Sequence, residues 1–219
     1  MPSPLPPSSP PPASRSQRKQ ARPGELIDAA LDLFAEKGFA LTRVDEVAAR
    51  AGVSKGTLFL YFASKEELFK AVVRETITGR FAEWDVELES FAGNTCELLH
   101  YCFQSWWERV GSTKASSLAK LMLGEAHNFP ELALFYRREV IEPGHALIRR
   151  ILQRGMDRGE FRPLDLDQAV YLVLAPLMFL MLAQPTMGLC IPDPERFDAA
   201  QYIRMQADNA LHGLLVRPA

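Results

Sequence analysis

The feature that most constrains the fold is a pair of short amphipathic segments joined by a single glycine, within residues 42–65. Before that glycine, apolar residues recur at positions i, i+3, i+4 and i+7, which predicts a helix over about residues 44–51; they are Val44, Val47, Ala48 and Ala51. Gly52 then ends this helix, because glycine accepts the left-handed backbone that a tight helix end requires. A second helix is predicted to begin at Lys55, with Ser54 as its N-terminal cap.

The second segment divides into an inward and an outward face. Leu58 and Phe62 are one turn apart and are predicted to pack against the first helix. The other side chains then face outward, and they are Lys55, Gly56, Thr57, Phe59, Leu60 and Tyr61. A face this rich in donors and aromatic rings indicates a contact surface, although an exposed leucine such as Leu60 is equally expected on an ordinary surface.

Two further helices are predicted to complete a small core around this pair. Ser64 and Glu67 have the spacing of a capping box, and the helix that they open points Leu68, Phe69, Val72 and Val73 inward. Upstream, a helix is predicted from Pro23 to Gly38, with Leu26, Ile27, Ala30, Leu31 and Phe34 at helical spacing. This order of helices, with a tight glycine turn before an outward-facing helix, is the helix-turn-helix plan, whose last helix enters the DNA major groove.

Residues 23 to 70 resemble the TetR family of bacterial transcriptional regulators at many fixed offsets. The matching residues are Ala29-Ala30-Leu31-Asp32-Leu33-Phe34-Ala35-Glu36-Lys37-Gly38-Phe39, Thr42, Val47-Ala48, Ala51-Gly52-Val53-Ser54-Lys55-Gly56-Thr57-Leu58, Tyr61-Phe62 and Ser64-Lys65-Glu66-Glu67-Leu68. Such a joint match is much more specific than a lone glycine turn. The resemblance implies an all-α homodimer, with an N-terminal three-helix DNA-binding domain and a larger C-terminal helical domain that binds a small molecule and dimerises.

The resemblance also implies roles for particular side chains. Those expected to touch phosphates are Thr42, Lys55, Thr57, Tyr61 and Lys65, and those expected to approach bases are Arg43, Gly56 and Phe59. Because Arg43 replaces a frequent small hydroxyl residue, we expect Thr42 to cap the first helix of the pair through its spacing to Asp45. Phe59 replaces a frequent tyrosine and keeps an apolar surface for a thymine methyl group. Considered singly, hydroxyl and lysine side chains are usually caps or solvated surface residues, so only their joint occurrence supports DNA contact.

Composition is that of an ordinary globular protein, with 47% hydrophobic and 24% charged residues. The exception is residues 2–14, which are rich in proline and predict a mobile tail without the apolar core of a signal peptide. A short basic arm follows, either a solvated linker or an arm lying along DNA phosphates or in the minor groove: Arg15, Arg18, Lys19 and Arg22. The predicted boundaries are 1–20 for tail and arm, 21–68 for the DNA-binding domain and 69–217 for the ligand-binding and dimerisation domain.

Charge is spread unevenly along the chain. Residues 15–80 hold 12 Lys and Arg against 9 Asp and Glu, whereas the rest holds 13 against 18. A modestly basic domain on an acidic body suits oriented phosphate contacts rather than bulk attraction. The cysteines and histidines show no metal-ligand spacing, so we predict reduced thiols in a cytoplasm and no metal or other cofactor; they are Cys96, Cys102, Cys190, His100, His127, His145 and His212. No nucleophile-base pairing or phosphate loop indicates an enzyme.

Beyond residue 80 the sequence predicts helices, with breaks at Gly93, Gly111, Asn128-Phe129-Pro130, Gly159 and Pro192-Asp193-Pro194. One long helix is predicted from Pro130 to about residue 158, with a kink at Pro143. The segment from Gln168 to Pro192 carries no charge, but polar and proline residues interrupt it and no basic clusters flank it, which argues against a membrane span. We predict that this helix and the last one, capped by Asp193-Pro194, form a four-helix interface with a second copy of the chain.

An effector pocket is expected in the C-terminal domain, lined by Phe103, Trp106, Met122, His127, Phe135, Tyr136, Met178 and Met181. Each of these residues is also consistent with ordinary packing or surface exposure. The leading hypothesis is a repressor that binds a pseudo-palindromic operator in double-stranded DNA as a homodimer and is released by a small hydrophobic or aromatic effector. The alternatives are an activator of the same family and a helical small-molecule carrier without DNA function.

Overall fold

The computed structural model describes residues 15–183 and 197–216, and this part of the chain is all-α, as predicted. Its α-helices in chain order are α1 Arg15–Leu41, α2 Val44–Arg50, α3 Lys55–Phe59, α4 Lys65–Val73, α5 Gly79–Ser90, α6 Thr95–Trp106, α7 Ser116–Glu125, α8 Pro130–Tyr136, α9 Glu142–Asp157, α10 Leu166–Ala183 and α11 Ala199–Leu214. Three π-helical turns join consecutive helices: π1 Arg74–Thr78, π2 Trp107–Gly111 and π3 Arg137–Ile141. We call α1 to α4 the reader and the helices after them the body.

The reader encloses a small aromatic core. Phe34 and Phe39 of α1 and Phe69 of α4 pack against one another, with ring centroids 5.5 to 5.6 Å apart. Val47 of α2 and Leu58 of α3 are fully buried against this core. A helix as short as α3 is not stable alone in water, so its position depends on this packing.

The turn between α2 and α3 forms as the sequence predicts. Gly52 has a φ of +67°, and the Val53 amide donates to the Ala48 carbonyl at 2.9 Å. Ser54 Oγ accepts the Thr57 amide at 3.1 Å and so caps α3. These local bonds fix the direction of α3, and with it the direction of its exposed face.

The first helix is longer than predicted. It begins at Arg15, so Pro23 lies inside it rather than in its first turn. Residues 17–21 are Gln, Arg, Lys, Gln and Ala, all strong helix formers that offset the backbone bond removed by Pro23. The basic residues that we expected in an arm therefore lie on a helical extension. Gly38 interrupts the far end of α1 with a φ of +81°, which confirms the predicted stop.

Two long composite helices organise the body. The first runs without a break through α4, π1 and α5, and it carries the chain from the reader into the body. The second runs through α8, π3 and α9 and ends at Asp157, within one residue of the prediction. Its π turn lies immediately before α9, whose second residue is Pro143. A proline there lacks an amide proton and crowds the preceding turn, which accounts for the locally widened helix.

The last two helices lie against one another on the body. α10 packs on α7 and α9, and α11 packs on α6 and α10. Asp198 caps α11 by accepting the Gln201 amide at 3.0 Å, whereas the predicted cap Asp193-Pro194 falls outside the described residues. Among residues 15–183 and 197–216, no helix combines the length and apolarity needed to cross a membrane, and no three His, Cys, Asp or Glu side chains gather as a metal site.

Candidate DNA-binding surface

The outward face of α3 and the turn after it expose apolar and polar groups side by side. Lys55 and Gly56 are exposed at the start of α3. Phe59 and Leu60 follow with 42% and 83% of their surface exposed. Large apolar side chains so accessible, on a helix whose inner residue Leu58 is fully buried, contribute nothing to the reader's own core. They are available for contact with another molecule.

Gly56 has no structural reason to be glycine. A Cβ added at this position would meet nothing closer than Ser54 Oγ, at 3.8 Å, which is an ordinary van der Waals distance. The residue also lies inside α3, where alanine is favoured over glycine. The missing side chain therefore leaves space on the outside of the molecule, where another backbone can approach closely.

Three charged side chains form a cluster beside α3. Asp45, in the first turn of α2, lies 2.8 Å from Lys55 through Oδ1 and 3.7 Å from Arg43 through Oδ2. The hydrogen bond from Lys55, together with the charges of Lys55 and Arg43, holds the pKa of Asp45 below its usual value. From the sequence, Arg43 and Lys55 are predicted DNA contacts and Asp45 is only part of a cap. Spacing along the chain does not show which carboxylate pairs with which cation.

The two remaining predicted contacts on this face are less exposed. Thr57 is half-buried, and its hydroxyl lies 2.9 Å from Ser54 Oγ. Tyr61 is also half-buried and packs against the reader core in the turn after α3. Both lie within six residues of Lys55, on α3 or in the turn after it.

The position of Thr42 contradicts its predicted phosphate contact. Its side chain is only 1% exposed, and its hydroxyl donates to the Gly38 carbonyl at 2.7 Å and lies 3.2 Å from the Leu33 carbonyl. It does not cap α2 either, because Arg43 is the N-cap residue and Glu46 accepts the Arg43 amide at 3.0 Å. Thr42 instead satisfies carbonyl groups that the interruption at Gly38 leaves at the end of α1.

Lys65, also predicted to touch a phosphate, forms hydrogen bonds within the reader. Its Nζ donates to the carbonyl oxygens of Phe39, Ala40 and Thr42 at 2.8, 3.3 and 3.1 Å. The ammonium group also lies 4.3 Å from the centre of the Phe39 ring. Burial lowers the pKa of Lys65, as expected for a cation drawn out of water. The ammonium group thus donates to three carbonyl oxygens of the reader.

One joint between reader and body lies at the end of α1. Glu125, at the end of α7, accepts the Ala40 amide at 3.2 Å through Oε1. Phe129 packs edge-on against Phe39 with centroids 4.8 Å apart. Nearby, Asp32 and Lys114 form an ion pair of 2.6 Å. The body therefore touches the same turn that Lys65 and Thr42 stabilise, a relation between residues far apart in sequence that no local pattern indicates.

A second joint lies where α4 passes into π1. Arg74 donates two hydrogen bonds to Glu139 of π3, at 2.9 and 3.3 Å, and its guanidinium lies 5.0 Å from the centre of the Phe135 ring. The Thr78 hydroxyl adds a long contact of 3.5 Å to the Glu139 carbonyl. Two π turns, which are frequent at functional sites, thus face one another at this joint.

Two cavities are open to solvent, one between the reader and the body and one within the body. The first, about 390 Å³, lies at the second joint and is lined by Glu67, Lys70, Arg74, Glu131, Leu134, Phe135, Arg138 and Glu139. The second, about 170 Å³, lies between α6 and α11 and is lined by His100, Phe103, Gln104, Trp107, Glu108, Ala200, Ile203, Arg204 and Ala207. The first is surrounded by ion pairs, whereas the second has an apolar floor.

The residues predicted to share one effector pocket are dispersed in the structure. Phe135 lines the first cavity and Phe103 the second, so the two do not meet. Most of the others are packed into the core or against it, namely Trp106, Met122, Tyr136 and Met181. His127 and Met178 are exposed, and neither lines a cavity described above. Helical periodicity does not determine which faces meet across the body.

Family models match both parts of the chain. The model described as bacterial regulatory proteins, tetR family, matches residues 26–72, which span most of the reader. The model described as a tetracyclin repressor-like C-terminal domain matches residues 96–188. The two matches correspond to the reader and to most of the body.

Individual relatives agree with these models. The HTH-type transcriptional repressor KstR2 of Rhodococcus jostii is 37% identical over 159 residues, which cover 73% of this chain and 76% of that protein. The crystal structure of the regulator FadR from Bacillus subtilis in complex with stearoyl-CoA aligns with a TM-score of 0.70 over 87% of this chain and 98% of that one, at 19% identity. A putative regulator from Saccharomonospora viridis in complex with choline aligns with a TM-score of 0.72, over 91% of this chain and 100% of that one, also at 19% identity. At such identities the structural matches establish the fold.

Proposed function

The chain belongs to the TetR family of transcriptional regulators, and from this we propose that it is a repressor that binds a pseudo-palindromic operator as a homodimer. The observation that carries the proposal is the exposed surface of α3 and of the residue after it. Phe59, Leu60 and a glycine not required by the fold are exposed there, and Lys55 is linked through Asp45 to Arg43. Repression is supported by the similarity to KstR2, a transcriptional repressor. The protein would act on DNA in the cytoplasm.

On this surface we assign two kinds of contact. Lys55, Thr57 and Tyr61 contact phosphates, and Arg43 reaches either a phosphate or a guanine edge. Gly56 allows the DNA to approach α3 closely, and Phe59 meets thymine methyl groups. Thr42 and Lys65, which bond within the reader, act by holding the end of α1 and the start of α4 in place.

The proposed dimer surface is a stripe on α10. Its members are exposed, apolar and spaced by three or four residues along the helix, and they are Tyr171, Leu172, Ala175, Met178, Phe179 and Leu182. No charged residue occurs between Gln168 and Ala183. An uncharged apolar stripe of this length is costly to leave in water, and a second copy of the chain, related by two-fold symmetry, would cover it.

For the effector we propose a small hydrophobic or aromatic compound. The FadR structure in complex with stearoyl-CoA supports a hydrophobic ligand in this fold. In this chain the cavity between α6 and α11 offers Phe103, Trp107 and Ile203 as an apolar floor. An effector that binds more tightly to the state with poorly spaced readers would lower the DNA affinity. The conformational change would be transmitted to the reader through the Glu125 and Glu139 joints.

The test is fluorescence anisotropy of the purified protein with short duplexes tiled across the DNA that flanks its own gene, in excess non-specific competitor. Saturable binding to one pseudo-palindromic duplex is expected. Lys55→Ala should weaken it and flatten the salt dependence by about one unit of slope, since one phosphate contact is lost. Lys120→Ala removes the same charge from the exposed surface of α7 and serves as the matched control. Equal binding to every duplex, with no effect of Lys55→Ala, would overturn the proposal.

A transcription assay then separates repression from activation. A reporter fused to the bound promoter should be expressed more strongly when the protein is absent. Lower expression in its absence would identify an activator that uses the same DNA contacts. A hydrophobic compound that lowers the anisotropy of the bound duplex would identify the effector class.

A further inference from the structure

Asp45 places a negative charge on the surface that faces DNA in the proposed function. Its side chain is 47% exposed, and those of its two partners, Lys55 and Arg43, are 56% and 75% exposed. All three groups therefore reach the solvent from which DNA approaches. A phosphate that comes to Lys55 or Arg43 meets the same carboxylate.

We propose that Asp45 is a specificity-determining residue, which acts by weakening the attraction of Arg43 and Lys55 for DNA of any sequence. The inference rests on the proposed function, because it takes both cations to be DNA contacts. Phosphate attraction supplies essentially all of the affinity for non-specific DNA. On non-specific DNA the shared carboxylate opposes the phosphate contacts of both cations. At the operator Arg43 reaches a guanine edge instead, so the carboxylate opposes only the phosphate contact of Lys55 and costs less affinity there.

The fold does not need Asp45 for the cap of α2. The backbone amide at the N-cap is already bonded to Glu46, which also supplies a negative charge to the first turn. Both ion pairs that Asp45 makes are with Arg43 and Lys55. The position thus loses little intramolecular support when its charge is removed, and the effect of the charge is concentrated on the two DNA-facing cations.

The inference is tested with a labelled duplex of scrambled sequence, titrated by anisotropy at several salt concentrations. Asp45→Asn should bind this duplex about 1.5 to five times more tightly than the wild type, the range of a surface ion pair. The salt dependence should steepen by up to about one unit of slope, because the net positive charge of the cluster that faces DNA rises by one. Binding to the operator should tighten by a smaller factor, so that the ratio of specific to non-specific affinity falls.

Two controls isolate the proposed pairing. Asp28→Asn removes the same charge from an exposed position of α1 and should leave the slope unchanged. In a Lys55→Ala background, Asp45→Asn should lose most of its gain in affinity for the scrambled duplex, because the two residues are coupled. Thermal melting checks the fold, and Asp45→Ser gives the same readout if asparagine disturbs α2.

The outcomes separate the inference from the proposed function. Equal effects of Asp45→Asn and Asp28→Asn, or weaker non-specific binding by a folded Asp45→Asn protein, would overturn the inference while the wild type still prefers its operator. An undiminished gain in the Lys55→Ala background would also overturn it. A wild type without preference for any duplex would instead remove the proposed function, and the inference with it.

Discussion

Two surfaces of this protein expose large apolar side chains, one on α3 of the reader and one on α10 of the body. Phe59 of α3 and Leu60, which follows it, are exposed on the same short segment as Lys55, and Asp45 pairs with both Lys55 and Arg43. The stripe on α10 has no charged residue along its length from Gln168 to Ala183. Nucleic acid binding needs cations next to the groups that read bases, whereas the core of a protein interface is depleted of charge. The electrostatic setting, more than the apolar content, distinguishes the two proposed partners.

The surfaces also differ in how they are held. α3 has five residues and depends on the Ser54 cap and on the buried Leu58. α10 has 18 residues and rests on the body along its inner face, through residues such as Val173 and Leu177. A change in the reader core can therefore alter the α3 surface without touching it, while the α10 stripe is altered chiefly by changes within the stripe itself.

The largest expected effect comes from a charge placed in the α10 stripe. Phe179, which is 50% exposed, lies within the stripe. In Phe179→Asp a carboxylate would have to be buried unpaired in the interface, so we expect a monomer by light scattering. Operator affinity should fall at least about 100-fold, because two linked readers bind far more tightly than one.

The matched control for that change is Val86→Asp. Val86 lies on α5 and is 66% exposed. The substitution therefore replaces an exposed apolar side chain by the same carboxylate outside the stripe. This variant should remain a dimer and keep its operator affinity. A dimeric Phe179→Asp protein would contradict the assignment of the α10 stripe, and a monomeric Val86→Asp protein would move the interface to α5.

The second test adds one methyl group to the α3 surface. Gly56→Ala meets no steric obstacle within the protein and should raise the free energy of unfolding by about 0.5 to 1 kcal/mol. DNA affinity should nevertheless fall about 30-fold, or about 2 kcal/mol, because the methyl group keeps the DNA backbone away. Urea titration measures the first quantity and anisotropy the second.

Gly124→Ala provides the comparison for Gly56→Ala. Gly124 lies within α7, is exposed, and has no atom within 4 Å of an added Cβ. It should gain similar stability and keep the full DNA affinity. If Gly56→Ala also binds DNA as well as the wild type does, α3 does not approach DNA as closely as proposed.

The sequence predicted local features of the reader better than the directions of its long side chains. The cap at Ser54 and the stops at Gly38 and Gly52 depend on backbone geometry within a few residues, and the structure confirms them. Thr42 and Lys65 turn inward because Gly38 bends the end of α1 and exposes carbonyl groups between them. No periodicity contains that information, since it arises only when α1 and α4 meet.

The same reason explains the effector residues. Phe103 and Phe135 were both predicted to face a pocket, and each lines a cavity, but the cavities lie on different helix pairs. Helical spacing determines a face, whereas a pocket is determined by the partner of that face. Those partners are distant in sequence.

A third test asks whether Lys65 belongs to the DNA surface or to its support. Lys65→Met removes the hydrogen bonds to the carbonyls of Phe39, Ala40 and Thr42 and should lower the free energy of unfolding by about 1.5 kcal/mol. DNA binding by the folded fraction should weaken without a change in salt slope, in contrast to Lys55→Ala. Lys70→Met, which loses a partly exposed ion pair with Glu67, should cost less than about 0.5 kcal/mol. A slope reduced by about one unit in Lys65→Met would restore Lys65 as a phosphate contact.

The smallest expected effect separates support from contact at Thr42. Thr42→Val keeps the shape of the side chain and removes a hydroxyl that donates to the Gly38 carbonyl at 2.7 Å, so the free energy of unfolding should fall by about 1 kcal/mol. Because Thr42 is only 1% exposed, a DNA phosphate cannot reach its hydroxyl without opening the reader. The salt slope and the operator affinity per folded molecule should therefore equal those of the wild type. Weaker binding at unchanged stability would mean that the reader opens at Thr42 when it binds DNA. The end of α1 would then belong to the DNA-contacting surface and not to its support.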